Sequence, residues 1–386
     1  MSLPCLRARR RLRAAAVATT LSAACALAVA GPAAASDALF VSGSAGNDAQ
    51  PCSWHKPCAT IGHAVGLAHE GSRIFVGPGT YREQVTITSA LALRGFDAVI
   101  DASGKDNGIV VTGASSAGTS IRGFTVQNAN AEGILANATS DLRIARNELR
   151  NNDRTPNAAS PPQCAAQGEV PGDCGEALHL MGVSSSKVVR NFIHDNVGGI
   201  LLTDETGPTH GNVVAHNVSR DNAEDCGITL PSHNALATSD PSKAGVYDNT
   251  IVHNVAVHNG GAGVGMFAPF PGTASYNNRV IGNIVTDNGE AGIGIHAHAP
   301  GQDVGGNVMV GNYVARNGVD PDADSVQTVG IALLNADPKA NPAEIIAKNR
   351  ISEQFFGIFI NGSFDIRGLF TNDFASSVTT PIGHHA

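Results

Sequence analysis

Hydrophobic and polar positions along the chain follow one repeating pattern. An aliphatic residue stands three positions before an asparagine, a second asparagine follows five positions later, and a glycine with another aliphatic residue comes next. The paired asparagines are Asn147/Asn152, Asn191/Asn196, Asn217/Asn222, Asn254/Asn259, Asn283/Asn288 and Asn312/Asn317, with Asn349/Gln354 as a last copy. The aliphatic residues before them are Ile144, Val188, Val214, Ile251, Val280, Met309 and Ile346. This apolar column predicts one inward-facing strand position in a solenoid of stacked coils.

The asparagines are expected at a turn that recurs in every coil. A side-chain amide can donate to one neighbouring coil and accept from the other, which predicts an asparagine ladder. A third asparagine stands five positions earlier in four copies, at Asn212, Asn249, Asn278 and Asn307. Asparagine also tolerates the left-handed backbone that tight turns need, which suits it to these positions.

The region before the repeats has a different pattern and predicts a cap. Apolar residues fall at helical spacing in residues 58–69, so a helix is expected across the open end of the first coil. Four segments follow from the pattern: an export signal at 1–35, the cap and first strands at 36–95, repeats at 96–375 and a C-terminal tail at 376–386. Insertions at 153–174, 234–248 and 319–328 are expected to project as loops and to wall a groove if they leave the same edge.

The first 35 residues have the composition of a signal peptide. Five arginines precede an apolar run from Ala14 to Ala30 and a final Ala33-Ala34-Ala35. This predicts a secreted or periplasmic protein with no membrane segment after signal removal. Removing those five from the 25 basic residues leaves 20 against 33 acidic ones, a net charge of −13. So acidic a chain is not expected to bind nucleic acid, and we expect a monomer.

Seven cysteines are present, and five follow the predicted signal. Cys52/Cys58 and Cys164/Cys174 are close in sequence, and each pair is expected to form a disulfide in an oxidising compartment. Cys226 is left over and is expected to be a buried, inert thiol, with a reactive thiol as the alternative.

The sequence resembles the right-handed parallel β-helix proteins of the pectin-lyase-like superfamily. The resemblance rests on the asparagine pattern, on the entry Pro78-Gly-Thr-Tyr-Arg-Glu-Gln-Val and on five Gly-Ile steps at Gly199, Gly227, Gly292, Gly330 and Gly357. It covers roughly residues 38–370 and implies an all-β fold, a single-stranded right-handed solenoid. The superfamily includes polysaccharide lyases, hydrolases and epimerases as well as adhesins, tailspikes and metal-site maturation proteins. The signature motifs of its polygalacturonases, pectate lyases and mannuronan epimerases are absent, so no catalytic residue is carried over.

Two positions counted from the repeat glycine hold dissimilar residues in successive coils, and the candidate functional residues are among them. Six positions after the glycine stand Glu205, His233, Pro269 and His298, and four positions after it stand Thr203, Pro231, Phe267 and His296. Like positions in successive coils stack about 4.8 Å apart, so Glu205 and His233 are predicted neighbours, with His296 and His298 roughly 10 Å further along. The predicted catalytic residues are Asp204, Glu205, Asp225 and His233, and the predicted substrate-binding residues are His179, Phe267, His296 and His298.

The interpretation is a secreted carbohydrate-active protein with a polysaccharide in this groove. His233 would be the base of a lyase, whereas a hydrolase would use two of the three carboxylates. These columns contain no lysine or arginine, so a lyase would need calcium held by Asp204, Glu205 or Asp225. The fold itself is expected to need no cofactor.

Blander alternatives stay open. Glu205 and His233 could form a surface ion pair of no functional importance. The protein could be a non-catalytic binding or structural β-helix, or a metal-handling one in which His296 and His298 hold a transition metal. The Asp320, Asp322 and Asp324 run is expected to be a solvated acidic turn, with a calcium loop as its alternative.

Overall fold

Short strands repeat once per coil throughout residues 38–152 and 176–385, which the computed structural model describes. The helix α1 spans Ile61–Leu67, and 3₁₀ turns lie at Ala114–Ser116 and Leu369–Thr371. The strands are β1 Ala38–Val41, β2 Ser72–Val76, β3 Gly79–Tyr81, β4 Val85–Ile87, β5 Leu91–Asp101, β6 Ile109–Thr112, β7 Ser120–Gln127, β8 Ile134–Ser140, β9 Arg143–Ala145, β10 Glu148–Arg150, β11 Glu176–Ser184, β12 Lys187–Val189, β13 Phe192–His194, β14 Gly198–Thr203, β15 Thr209–His210, β16 Val213–Ala215, β17 Val218–Arg220, β18 Ile228–Pro231, β19 Val246–Tyr247, β20 Thr250–Val252, β21 Val255–Val257, β22 Val264–Ala268, β23 Ser275–Tyr276, β24 Arg279–Ile281, β25 Ile284–Thr286, β26 Ile293–Ala297, β27 Val308–Val310, β28 Tyr313–Ala315, β29 Val329–Asn335, β30 Ala343–Ala347, β31 Arg350–Ser352, β32 Phe356–Asn361, β33 Asp365–Arg367, β34 Asp373–Phe374 and β35 Thr380–His384.

Each strand pairs in parallel with its counterpart one coil away. The strands that follow the repeat glycines form one sheet, here called the glycine sheet, which runs through β4, β6, β8, β11, β14, β18, β22, β26, β29, β32 and β35. The strands on either side of the central asparagines form the asparagine sheet, in which β12, β16, β20, β24, β27 and β30 follow one another. This arrangement is the predicted parallel β-helix.

The predicted apolar column is the core of the solenoid. All seven of its aliphatic residues, from Ile144 to Ile346, are at most 1% exposed. Val188, Val214 and Ile251 are direct partners in the register of neighbouring strands. One inward side chain per coil therefore builds a continuous hydrophobic interior.

The asparagine ladder is confirmed. The backbone N–H and the side-chain amide of Asn217 both donate to Oδ1 of Asn254, at 2.9 and 3.0 Å. Asn254 makes the same two contacts with Asn283, at 2.8 and 3.0 Å. Parallel ladders run through the third asparagines and through the second member of each pair. Each buried amide is thereby satisfied by its neighbours.

The left-handed residue of each turn precedes the ladder asparagine, contrary to the expectation. His216, His253 and Lys348 have φ values of 57°, 53° and 56° and stand just before Asn217, Asn254 and Asn349. The physical reason is that the left-handed residue bends the chain at the corner of the coil. The side chain of the asparagine that follows it then points along the stack. His216 and His253 are accordingly turn residues.

The N-terminal cap contains the predicted helix. Thr60 caps α1 by accepting a hydrogen bond from the backbone N–H of His63, and Ile61 and Ala64 are buried beneath the helix. The Cys52–Cys58 disulfide is present next to it. Cys164, Cys174 and the predicted signal at 1–35 lie outside the described residues. Within the described residues, no helix has both the length and the hydropathy that crossing a bilayer requires.

Strand pairing continues from the cap segment into the repeats and from the repeats into the C-terminal segment. Before residue 96, Val85–Ile87 already pairs with Ile109–Val111 in the glycine sheet. After residue 375, Thr380–His384 pairs with β32 as the last strand of that sheet. The cap and the tail are thus continuous with the coils.

Candidate functional site

The irregular columns of the sequence lie side by side on the glycine sheet. Pro231 is the register partner of Phe267, and Phe267 is the partner of His296. Thr203 occupies the same column one coil before Pro231, as the pairing of β14 with β18 requires. Since neighbouring strands are about 4.8 Å apart, the predicted residues extend along the stack over several coils.

Glu205 and His233 form the predicted pair. Nδ1 of His233 lies 2.6 Å from Oε1 of Glu205, and the two side chains are 0% and 8% exposed. Burial raises the pKa of Glu205, but the hydrogen bond and charge of His233 lower it more, helped by His179 and Thr203, so that it lies below its usual range. An ionised Glu205 accepts a hydrogen bond from Nδ1–H of His233 and fixes the tautomer in which Nε2 is the basic nitrogen.

His179 extends this pair into a buried polar network. Its Nδ1 lies 3.2 Å from Oε1 of Glu132, and its Nε2 lies 2.7 Å from the hydroxyl of Thr203. His179, Glu132 and Thr203 are each 0% exposed. Glu132, His179, Thr203, Glu205 and His233 therefore form a chain of neighbouring polar groups across the glycine sheet, which we call the Glu205–His233 network.

Asp204 faces away from its neighbour Glu205. Its carboxylate accepts hydrogen bonds from the Ser232 hydroxyl at 2.8 Å and from the backbone N–H groups of His233, Asn234 and Gly245 at 2.6, 3.1 and 2.6 Å. Burial raises its pKa although these donors lower it. Asp204 thus fixes the start and the end of the 234–245 loop next to His233, and its catalytic role stays a prediction.

Asp225 lies with a different acidic group. A side chain at Gly198 would meet both Glu176 and Asp225, so these two carboxyl groups flank Gly198. Oδ1 of Asp225 accepts a hydrogen bond from the backbone N–H of Cys226 at 2.6 Å. Glu176 also belongs to a group with Glu132 and His179 whose ligand atoms lie within 4.8 Å of one another. Asp225 is therefore at the start of the glycine-sheet strands, whereas Glu205 lies beyond their end.

His296 has a partner that the sequence did not reveal. Its Nε2 lies 3.1 Å from Oδ2 of Asp320, and the side chains of both residues are buried. Phe267 stacks on the His296 ring with centroids 4.9 Å apart. The predicted solvated turn is wrong for Asp320, because the 319–328 insertion folds back and places this carboxylate against the histidine.

A second polar cluster surrounds this pair. Ligand atoms of His296, His298 and Asp322 lie within 4.8 Å of one another. Burial lowers the pKa of His298, and the neighbouring His296 lowers it further. Burial, followed by Asp320 and Asp322, raises the pKa of Glu290 to about 7. We call His296, His298 and Asp322, with Asp320 behind them, the histidine cluster.

Glu132 and Asp320, which the sequence pattern does not predict, both contact partners in another coil. Glu132 is 47 positions before His179, and Asp320 is 24 positions after His296. Their signal was positional: Glu132 directly precedes a repeat glycine, and Asp320 is the second residue of an insertion. Column numbering from the glycine forward left out both of these corner positions.

The fold is shared with known proteins. The family model described as "Right handed beta helix region" matches residues 107–309, more than half of the chain. No curated protein sequence matches the chain. Among solved structures, the A-module of the mannuronan C-5 epimerase AlgE4 of Azotobacter vinelandii has a TM-score of 0.52 at 14% identity, covering 84% of this chain and 92% of that one.

Two further solved structures have the same architecture. Pectate lyase Pel9A has a TM-score of 0.53 at 16% identity, covering 88% of this chain and 78% of that one. The Dettilon tailspike protein has a TM-score of 0.56 at 15% identity, covering 84% and 64%. At these identities the likeness concerns the fold, and it confirms the predicted right-handed parallel β-helix.

Proposed function

The chain belongs to the right-handed β-helix family, and on this scaffold we propose a carbohydrate-active enzyme that removes a proton from an acidic polysaccharide. The observation that carries the proposal is the 2.6 Å contact between Nδ1 of His233 and Oε1 of Glu205. The names of similar folds, a mannuronan epimerase and a pectate lyase, give this substrate class a precedent on the same scaffold. The predicted export of the chain is in keeping with an extracellular polymer.

The chemistry follows from the orientation of the histidine. Glu205 holds Nδ1–H of His233, so the lone pair of Nε2 accepts the proton on the carbon next to a uronate carboxylate. In a lyase reaction the bond to the glycosidic oxygen breaks as the new carbon–carbon double bond forms, and the departing oxygen takes up a proton from the imidazolium or from water. In an epimerase a donor on the far side of the sugar ring, such as water, gives a proton to the opposite face of the same carbon, and the imidazolium of His233 releases its own proton to solvent. Glu205 stabilises the imidazolium that forms in either case.

A hydrolase is less well supported by this arrangement. It needs two carboxyl groups about 5 to 9.5 Å apart on either side of the scissile bond. Asp204 accepts four hydrogen bonds within the fold, and Asp225 lies beside Glu176. Glu205 is engaged with His233. The site thus offers an oriented base more clearly than an acid and nucleophile pair.

The predicted calcium set does not gather around one point. Within the described residues, Asp204, Glu205 and Asp225 do not form a group whose oxygens lie within 4.8 Å of one another. Calcium takes six to eight oxygen ligands, and the Asp204 carboxylate already accepts hydrogen bonds from four protein N–H and O–H groups. We therefore assign no step to calcium, and we expect activity to persist in a chelator of calcium.

The test is a panel of polysaccharides that includes polygalacturonate and alginate. Absorbance of unsaturated uronates reports a lyase, proton NMR reports epimerisation, and new reducing ends without absorbance report a hydrolase. His233→Ala should lower the rate about 10² to 10⁴-fold, and Glu205→Gln should lower it less. His216→Ala, at a turn, is the matched control. Full activity in His233→Ala, with an unchanged circular dichroism spectrum, would remove His233 as the base.

A second candidate function is transition-metal binding at the histidine cluster. Asp320 orients His296 through Nε2, and Nδ1 of His296 is buried with no hydrogen-bond partner among the described residues. A carboxylate that holds the far nitrogen of a ligating imidazole is the usual second sphere of such sites. His298 and Asp322 complete a set of two nitrogens and one oxygen, which suits zinc or copper better than calcium.

Titration calorimetry with Zn²⁺ and with Cu²⁺ tests this alternative. We expect one site per chain, and we expect His298→Ala and Asp322→Asn each to weaken binding at least tenfold. His253→Ala is the control, because that imidazole contacts the His216 ring away from the cluster. Unchanged affinity in both cluster variants would refute the site.

A further inference from the structure

Five arginines cluster on the outward face of the first coils, on the asparagine sheet. They are Arg73, Arg94, Arg122, Arg143 and Arg146. None of the ion pairs among the described residues includes any of them, although the chain carries 33 acidic residues. The charge of Arg146, followed by burial and by the charges of Arg94 and Arg143, lowers the pKa of Arg122. These guanidinium groups repel one another, so their grouping costs free energy unless an anion neutralises it.

The strand register turns this cluster into a shallow basin. Arg73 is followed one coil at a time by Ala92, Ser120 and Arg143. The two small residues leave a depression of about 330 Å³ between the terminal arginines. In the neighbouring outward column, Phe75 is followed by Arg94 and then by Arg122. Guanidinium groups thus border the basin at its ends and along one side.

An aromatic row continues from the basin. Phe75 belongs to its lining and also to that of an adjoining cavity of about 740 Å³. Phe40 and Phe96 stack on either side of Phe75, with ring centroids 5.4 and 6.4 Å away. Trp54 meets Phe40 edge to face at 5.2 Å and is 70% exposed. Exposed aromatic faces and unpaired arginines are therefore contiguous on one surface, here called the arginine–aromatic surface.

We propose that the arginine–aromatic surface binds a polysaccharide that carries carboxylate or sulfate groups, apart from the Glu205–His233 network. Arginine pairs with carboxylate or sulfate in a planar, two-point fashion, and aromatic faces accept the apolar faces of sugar rings. From β1 to β9 the surface crosses four strand steps of about 4.8 Å each, roughly 19 Å. That length suits several consecutive sugars of an extended chain.

The net charge of the chain favours a narrow anionic polymer over larger anionic partners. The chain has a net charge of −8, so the positive surface is a local exception. A nucleic-acid duplex or a membrane would extend past the five arginines onto the rest of a protein with net negative charge, which would repel it. A single narrow polymer can follow one row of coils. The inference concerns binding and does not depend on the chemistry proposed for His233.

The test is binding of the full-length chain to polygalacturonate and to chondroitin sulfate by titration calorimetry. The Arg94→Gln/Arg122→Gln variant should weaken binding roughly tenfold and flatten its salt dependence. Arg279→Gln is the matched control, because Arg279 lies further along the Arg73 column without other arginines beside it. His233→Ala should bind as the unmodified chain does, which separates this surface from the site of the proposed reaction.

Several outcomes would overturn the proposal. Equal affinity of the double variant and the unmodified chain for both polymers would remove the surface as the binding site. Equal binding of neutral dextran would show that charge is not recognised. Tighter binding of single-stranded poly(dT), or of vesicles with anionic lipids, that is lost in the double variant would assign the surface to a different class of partner.

Discussion

Replacing Glu344 by Gln should stabilise the protein at neutral pH. Val308 pairs with Ile345, so Glu344 stands opposite Asn307, where the next rung of an asparagine ladder would be. The side chain is 1% exposed, and both carboxyl oxygens are buried. Burial raises the pKa of Glu344 to about 9, although the backbone N–H of Asn307 lowers it in part. A glutamine amide has the same shape and carries no charge to bury.

The size of the effect follows from linkage. Between pH 4.5 and about 9 the folded chain keeps this proton while the unfolded chain releases it, so rising pH favours unfolding. Each pKa unit is worth about 1.4 kcal/mol, which gives a loss of about 3 kcal/mol by pH 7. Below pH 4.5 both states are protonated, and the loss disappears. Glu344→Gln should therefore gain about 3 kcal/mol at pH 7 and little at pH 4.5.

Urea unfolding at a series of pH values measures this difference. Other titrating groups occur in both proteins and cancel in the comparison. Glu344→Leu should lose the same pH dependence, and Glu70→Gln, at an exposed position, should not. The reasoning fails if the stability difference between the unmodified chain and Glu344→Gln is the same at pH 4.5 and pH 8.

Three other predictions concern the ladder and the cysteines. Asn254→Ala removes the acceptor of two Asn217 donors and should lower the free energy of unfolding by about 2 to 4 kcal/mol. The control Asn341→Ala, at an exposed position, should lower it by less than about 0.5 kcal/mol. Equal losses of the two variants in urea unfolding would contradict the ladder's role. Cys52→Ser/Cys58→Ser opens a loop of sequence separation 6 and should destabilise the cap by about 2 kcal/mol. Hydrogen exchange of the α1 amides measures this loss, and unchanged protection of α1 would refute the prediction. Burial, followed by Asp225 and Glu290, raises the pKa of Cys226. Iodoacetamide at pH 8 should therefore leave the peptide with Cys226 unmodified in the native chain and modify it in urea. Labelling of the native chain, seen by mass spectrometry, would exclude an inert thiol.

The fold was predictable because its information is periodic. Val214, Ile251 and Val280 are equivalent by the asparagine spacing, and the structure places them in one buried column. The ladder follows from the same spacing, since stacked amides have only their neighbours as partners. The left-handed positions were missed because the pattern marks the asparagine, whereas the residue before it bends the chain. Before the first asparagine of each pair that position is Arg, His, Gly or Lys, so no single residue type marks it.

The site was predictable only where it obeys the same period. Glu205 and His233 share a column, and their contact could be inferred from spacing alone. Asp204 and Glu205 follow the last residue of β14, so strand alternation does not predict where their side chains point. Glu132 and Asp320 lie at corners and in an insertion, where chain direction depends on local turns. No repeat position encodes those contacts, so the spacing alone does not predict them.

The solenoid also makes the two proposed surfaces separable by experiment. In such a fold each coil contacts its neighbours, so the effect of a side-chain change decays along the stack. Arg94 lies on β5, while His233 follows β18 on the other sheet, with several coils between them. Loss of polymer binding in the arginine variant with unchanged turnover of a short substrate would thus assign recognition and chemistry to different faces. If the arginine variant instead lost polymer binding and turnover together, polymer binding at the arginines would have to precede the reaction at His233, because no direct contact links the two surfaces.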